Sequence, residues 1–120
     1  MNVLIVENRR ELASVWQRHI ERQGHRVLTA RSQTAAIHVI QTFKPDMIVL
    51  NLVLSDGSAL AISDFASFRL PETKVIFVTD TTFFSDGSLF AFAGNACAHV
   101  QAGTPPEDLA AMIDYYAASA

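Results

Sequence analysis

The sequence has little of several features that define common protein classes. Its 120 residues contain a single cysteine, Cys97, which excludes an internal disulfide. Nine lysines and arginines stand against twelve acidic residues, so the net charge of −3 lacks the basic excess of a nucleic-acid-binding protein. No apolar run is long enough to span a bilayer, and the N-terminus lacks the charge pattern of a signal peptide. These absences favour a cytoplasmic protein that binds neither nucleic acid nor membrane.

Glycines and catalytic motifs are missing where nucleotide or hydrolase chemistry would need them. The segment ENRREL at residues 7–12, which follows the first apolar run, contains no glycine. It therefore lacks both the dinucleotide fingerprint and the P-loop, whose glycines let the backbone approach a phosphate. There is no G-x-S-x-G elbow, and the four histidines show no metal-ligand spacing. We therefore predict that the chain is not an enzyme.

What the chain does contain is a fivefold alternation of strand and helix patterns. Half of its residues are hydrophobic, which is enough for the core of one domain spanning residues 1–120. Short apolar runs predict buried strands, and apolar residues at helical spacing predict a helix after each strand. The predicted strands are 2–6, 26–30, 46–52, 74–80 and 96–100, and the predicted helices are 9–25, 32–43, 58–70, 85–94 and 104–120. Such repeated units predict an α/β fold with an open parallel sheet and helices on both faces.

Polar residues occupy the carboxyl ends of these predicted strands. They are Glu7, Asn8, Asn51, Thr79, Asp80 and Gln101. The carboxyl ends of parallel strands lie at one edge of a sheet, where ligands bind in folds of this type. This edge is therefore the predicted location of any functional site.

Four segments of the chain resemble the receiver domain of bacterial two-component response regulators. They are VLIVEN at 3–8, KPDMIVLNLVLSDGSAL at 44–60, VIFVTD at 75–80 and AGNACAHVQAGTPPEDL at 93–109. The resemblance covers essentially the whole chain and implies a flavodoxin-like, doubly wound, five-stranded sheet of order 2-1-3-4-5. In that family an aspartate accepts a phosphoryl group, nearby carboxylates hold Mg²⁺, and a lysine and a hydroxyl contact the phosphoryl oxygens.

Carried over to this chain, the resemblance assigns uncharged residues to most of these roles. Asn51 stands at the phosphoacceptor position, and Gln101 stands at the lysine position. Asn8 replaces an acidic Mg²⁺ ligand, so Glu7 alone keeps its carboxylate, while Thr79 keeps the hydroxyl. A carboxamide has a delocalised nitrogen lone pair and no low-energy anion, so Asn51 is not a competent nucleophile. We expect no catalytic residue and no cofactor, with Mg²⁺ binding weak or absent.

These substitutions lead to the hypothesis of an atypical receiver, a pseudo-receiver that signals through protein contacts without aspartyl phosphorylation. Its partners would be a histidine kinase or another response regulator. We expect the pocket to be held by neutral hydrogen bonds, with Gln101 bonded to Asn8 or Asn51 and with Asp80 at the entrance. One alternative is a phosphotransfer domain with a relocated acceptor, Asp56 or Asp80. The other is a small-molecule binding module that uses the neutral pocket.

Aromatic residues are concentrated in two segments, one around the predicted fourth helix and one near the C-terminus. They are Phe83, Phe84, Phe90, Phe92, Tyr115 and Tyr116. The side formed by the fourth helix, the fifth strand and the last helix resembles the face through which receivers dimerise or contact partners. An exposed apolar patch there would mark an interface, and tyrosines suit interface use. We predict a homodimer or a partner contact on this side.

Overall fold

The computed structural model describes residues 1–54, 56–79 and 94–118. The strands are β1 (Asn2–Val6), β2 (Arg26–Ala30), β3 (Met47–Asn51), β4 (Lys74–Thr79) and β5 (Ala96–Gln101), and the helices are α1 (Arg10–Glu21), α2 (Gln33–Phe43), α3 (Ala59–Arg69) and α4 (Pro106–Ala118). The helix predicted at 85–94 lies outside the described residues except for Gly94. Within the described ranges, every helix is too short or too polar to cross a bilayer.

All neighbouring strands pair in parallel, in the order β2-β1-β3-β4-β5. This order confirms the flavodoxin-like sheet predicted above. The direction of the winding reverses between β1 and β3, the point at which open sheets of this kind form a crevice. Val6 pairs with Leu50 there, so that Glu7 and Asn51 come next in register at the carboxyl edge.

Successive strand residues point to opposite faces and build two cores. Val3 and Ile5 belong to the core beneath α1 and α4. Leu4 and Val6 belong to the core beneath α2 and α3. Each of these four side chains is fully buried, and burial of a side chain of this size contributes about 1.5–3 kcal/mol. Packing of these side chains therefore fixes the central strands and, with them, the positions of the residues at their carboxyl ends.

Local signals explain where α2 and α3 begin and where α2 ends. Ser32 Oγ accepts a hydrogen bond from the Ala35 N–H at 3.2 Å, and Ser58 Oγ accepts one from the Ala61 N–H at 3.3 Å. Both serines are N-caps, which satisfy backbone donors that have no partner inside the helix. Lys44 follows α2 with a left-handed φ of 52° immediately before Pro45, and this ends the helix as predicted.

The loop after β3 is bonded to the first residue of α2. The Gln33 N–H donates to the Asp56 carbonyl at 3.2 Å, and Gln33 Oε1 accepts from the Ser58 N–H at 2.7 Å. Between these two bonds lies Gly57, whose φ is +91°. A Cβ added at Gly57 would collide with the Gln33 side chain, so both its backbone conformation and its surroundings require glycine.

Candidate functional site at the carboxyl edge of the sheet

Glu7 and Asn51 meet at the centre of the carboxyl edge. Glu7 follows β1 and is 0% exposed, and Asn51 ends β3 and is 1% exposed. Asn51 Nδ2 donates to Glu7 Oε1 at 2.7 Å and to Oε2 at 3.2 Å. Asn51 Oδ1 accepts from the Val53 N–H at 2.8 Å. The amide is therefore oriented with its NH₂ group toward the carboxylate and its oxygen toward the backbone.

Arg9 supplies a positive charge to the same carboxylate. Its Nη2 lies 2.9 Å and its Nε lies 3.2 Å from Glu7 Oε1, and its backbone N–H donates to Oε2 at 3.3 Å. The Arg9 side chain is 42% exposed, so it extends from the buried carboxylate to the protein surface. A buried charge is tolerated when it is paired and hydrogen-bonded, and charge-assisted bonds are stronger than neutral ones. Arg9 and Asn51 together meet both conditions for Glu7.

The expectation of a pocket held by neutral hydrogen bonds is therefore wrong. Its central contact is the ion pair between Glu7 and Arg9. The Gln101 side chain is exposed, and no bond links it to Asn8 or Asn51 in the described part of the chain. The sequence feature that predicts this ion pair is Arg9 in ENRREL, which stands two positions after Glu7.

Thr79 and Gln101 end the two strands beyond Asn51. Val78 is in register with Asn51, and Thr79 follows it at the end of β4 with no exposed surface. Thr79 is in register with Gln101, which ends β5. The sheet thus brings Glu7, Asn51 and Thr79 to one buried edge, while Gln101 faces solvent. Asn8 is half-buried beside Glu7 in the chain.

The two aspartates considered as alternative phosphoacceptors differ in what the structure describes. Asp56 is exposed and lies in the turn before α3. Its carbonyl is bonded to the Gln33 N–H, which places its backbone beside the start of α2. Asp80 lies outside the described residues, as does its predicted position at the pocket entrance.

The two tyrosines predicted at an interface have different environments on α4. Tyr115 is 68% exposed, whereas Tyr116 is half-buried and its hydroxyl donates to the Cys97 carbonyl at 2.8 Å. Their rings meet edge to face with centroids 5.3 Å apart. Burial raises the pKa of the Cys97 thiol and also that of the Tyr116 phenol. Outside the described residues lie Phe83, Phe84, Phe90 and Phe92.

The donor set at this edge does not fit a Mg²⁺ site. Mg²⁺ requires near-octahedral oxygen ligands at about 2.0–2.1 Å, with one or two carboxylates usually among them. Both oxygens of Glu7 already accept hydrogen bonds from Arg9 and Asn51. Searched within 1–54, 56–79 and 94–118, the chain has no group of three or more His, Cys, Asp or Glu side chains arranged to hold a metal.

Comparison with known proteins identifies the type of domain that this edge belongs to. The family model described as the response regulator receiver domain matches residues 3–113. The receiver domain of a CheY-like protein from Methanospirillum hungatei JF-1 is 21% identical, with a TM-score of 0.85, and the match covers 96% of this chain and 91% of that one. The BeF3-activated N-terminal receiver domain of Klebsiella pneumoniae RstA is 18% identical, with a TM-score of 0.83, and the match covers 96% and 97%. No curated protein matches the sequence.

Proposed function

The chain belongs to the response regulator receiver domain family, and from that premise we propose that it is a cytoplasmic receiver that signals without aspartyl phosphorylation. It would work by binding other proteins and would catalyse no reaction. The observation that carries the proposal is the buried Asn51 at the end of β3, with its Nδ2 2.7 Å from Glu7 Oε1. In the family, the residue at this position is an aspartate that accepts the phosphoryl group.

The chemistry of Asn51 supports the proposal. A carboxylate oxygen can attack phosphorus and form an acyl phosphate, whereas a neutral carboxamide has no comparable nucleophile. In this chain both ends of the amide are also occupied, by Glu7 on the nitrogen side and by the Val53 N–H on the oxygen side. We therefore expect Asn51 to act as a structural residue that satisfies Glu7.

A phosphorylation assay tests this proposal directly. The protein is incubated with acetyl phosphate and Mg²⁺, and its intact mass is measured beside a receiver domain that retains the aspartate. We expect this chain to keep its unmodified mass while the control gains a phosphoryl group. A stoichiometric phosphoryl adduct mapped to Asp56 or Asp80 would contradict the proposal and would support a relocated acceptor.

We further propose that the protein binds a histidine kinase, another response regulator or a second copy of itself through the side formed by β5 and α4. Tyr115 supports this choice because a large aromatic side chain with 68% of its surface exposed suits an interface. Sedimentation at high micromolar concentration should show a dimer that Y115D weakens. Phe68 on α3 is 82% exposed, and F68D is the matched control that should leave association unchanged. A wild-type monomer at that concentration would contradict the homodimer.

A further inference from the structure

We propose that Arg9 is a built-in counter-ion for Glu7, and that its guanidinium takes the place in which carboxylates of this family hold a divalent cation. The inference rests on the proposed function, since a site without a phosphoacceptor has no need of the metal. It also explains how a buried carboxylate persists after the neighbouring acidic positions have become neutral. Arg9 is then a positioning residue of the pocket, and the loop after β1 carries its own cation.

The contacts of Glu7 leave little room for a metal ion. Oε1 accepts from Arg9 Nη2, Arg9 Nε and Asn51 Nδ2, and Oε2 accepts from the Arg9 backbone N–H and Asn51 Nδ2. Five donor contacts therefore converge on two oxygens that have about four lone-pair sites. A divalent cation could bind Glu7 only after displacing the guanidinium, and that step would break a charge-assisted pair.

The direction of the Asn51 amide makes the effect of Arg9 measurable. Because Oδ1 is held by the Val53 N–H, the group facing Glu7 at 2.7 Å is the NH₂. Replacing Asn51 by aspartate puts a second carboxylate against Glu7, and two adjacent carboxylates require a proton or a cation between them. In such a variant the guanidinium and an added metal compete for the same position.

Arg10 provides a closely matched control for Arg9. It is the next residue, has the same charge and lines a cavity of about 250 Å³ together with Glu7. Within the described residues, Arg10 forms neither an ion pair nor a hydrogen bond with Glu7. Removing Arg10 therefore changes the local charge by the same amount as removing Arg9 but leaves the contacts of Glu7 intact.

The test is a Mn²⁺ titration of N8D/N51D variants, followed by electron paramagnetic resonance. Mn²⁺ prefers the same oxygen ligands as Mg²⁺. We expect N8D/N51D/R9Q to bind Mn²⁺ about tenfold more tightly than N8D/N51D, a difference of about 1.4 kcal/mol. N8D/N51D/R10Q should differ from N8D/N51D in Mn²⁺ affinity by less than about twofold, because an exposed charge is largely screened. N8D/N51D/R9K should fall between the two, since lysine keeps the charge but not the planar fork of donors.

Equal Mn²⁺ affinities with and without Arg9, or equal effects of R9Q and R10Q, would overturn the proposal. If the multiple variants do not fold, NMR of single variants provides the decisive measurement. The side-chain NH₂ signal of Asn51, assigned by its loss in N51D, should shift in R9Q and stay in place in R10Q, because Arg9 and Asn51 share Glu7 Oε1. The same shift in both variants would contradict the role of Arg9.

These outcomes are separate from those of the proposed function. A phosphoryl adduct on the wild-type chain would contradict signalling without phosphorylation, whatever Arg9 does to metal affinity. Equal metal affinities would remove the role of Arg9 and leave the unmodified mass of the wild-type chain as evidence for the proposed function.

Discussion

Glu7 at the carboxyl edge of the sheet is fully buried, whereas Asp114, beside the amino edge, keeps 47% of its side chain exposed. The hydrogen-bond donors to Glu7 are protein groups of Asn51 and Arg9. Asp114 accepts a hydrogen bond from His25 Nε2 at 2.7 Å. When such a bond is lost at an exposed site, water can replace the missing partner, which is not possible at a buried one.

The amino edge also has a series of polar contacts, and these contacts are expected to matter less than those of Glu7. The Met1 ammonium lies 3.1 Å from His25 Nδ1, which connects the start of β1 to Asp114 on α4 through one imidazole. The His25 side chain is 8% exposed and that of Asp114 is 47% exposed, so water can reach this bond from the Asp114 side. A partly exposed contact of this kind contributes about 0–1 kcal/mol, whereas leaving a fully buried charge without its partner costs several times more. Burial of the group that loses its partner should therefore decide which end tolerates substitution.

The largest effect is expected for E7Q. The amide that replaces the carboxylate carries its own NH₂ donors toward those of Asn51 and Arg9, so at least one buried donor loses its acceptor. We expect the free energy of unfolding to fall by about 1–3 kcal/mol. Urea denaturation measures this loss, with E11Q as the control because Glu11 is exposed on α1. Equal stabilities of E7Q and E11Q would remove the distinction between the two ends.

A somewhat smaller, pH-dependent effect is expected for N51D. The introduced carboxylate lies against Glu7, which raises the pKa of the pair in the folded state above its unfolded value. Stability should therefore be close to that of the wild type below the unfolded carboxyl pKa, and about 1–2 kcal/mol should be lost as the pH rises through the folded pKa. Denaturation of both proteins from a pH below the unfolded carboxyl pKa up to neutral pH measures the difference. A difference that does not change with pH would argue against direct contact between the two groups.

A still smaller effect is expected at the amino edge. D114A removes one acceptor from His25, and water reaches the site because Asp114 is half-exposed. The free energy of unfolding should fall by about 0.5–1 kcal/mol, and E72A, at an exposed position, should leave it unchanged. If D114A destabilised the protein as much as E7Q, burial would not distinguish the two ends of the sheet.

The smallest effect on stability concerns Cys97, the second residue of β5. Burial raises the pKa of its thiol, so the folded protein favours the neutral form. This contribution is complete below the ordinary cysteine pKa and is lost as the pH rises through the folded pKa, so stability near neutral pH is unaffected. The rate of thiol alkylation as a function of pH should have a midpoint above that of the urea-unfolded chain. Coincident profiles would contradict the raised pKa.

Much of the fold could be predicted because it depends on periodic patterns. The predicted strands at 2–6 and 26–30 have the bounds of β1 and β2, and Ser32 caps α2 as expected. The meeting of Glu7 and Asn51 also follows from the sequence, because parallel strands end at the same edge of the sheet. The roles assigned to these residues in signalling stay predictions that the experiments above address.

The contact of Arg9 could not be predicted in the same way. It depends on the conformation of a long side chain that folds back on a residue two positions earlier, and no helical or strand period describes that contact. The resemblance also points to Gln101, whose position has a role in the family but whose side chain faces solvent here. The charges of the loop after β1 carry the relevant signal, since a buried carboxylate needs a cation or a donor nearby.

The close contact between Gly57 and Gln33 also limits how this chain can diverge. Any side chain at position 57 would collide with the Gln33 side chain and disturb the bond from the Ser58 N–H to Gln33 Oε1, while Gln33 itself needs an oxygen that reaches the Ser58 N–H. The two positions are far apart in the chain, yet each restricts the residues that the other can accept. Orthologues of this protein should therefore show correlated replacements at positions 33 and 57, a pattern that a sequence alignment can reveal without any structure.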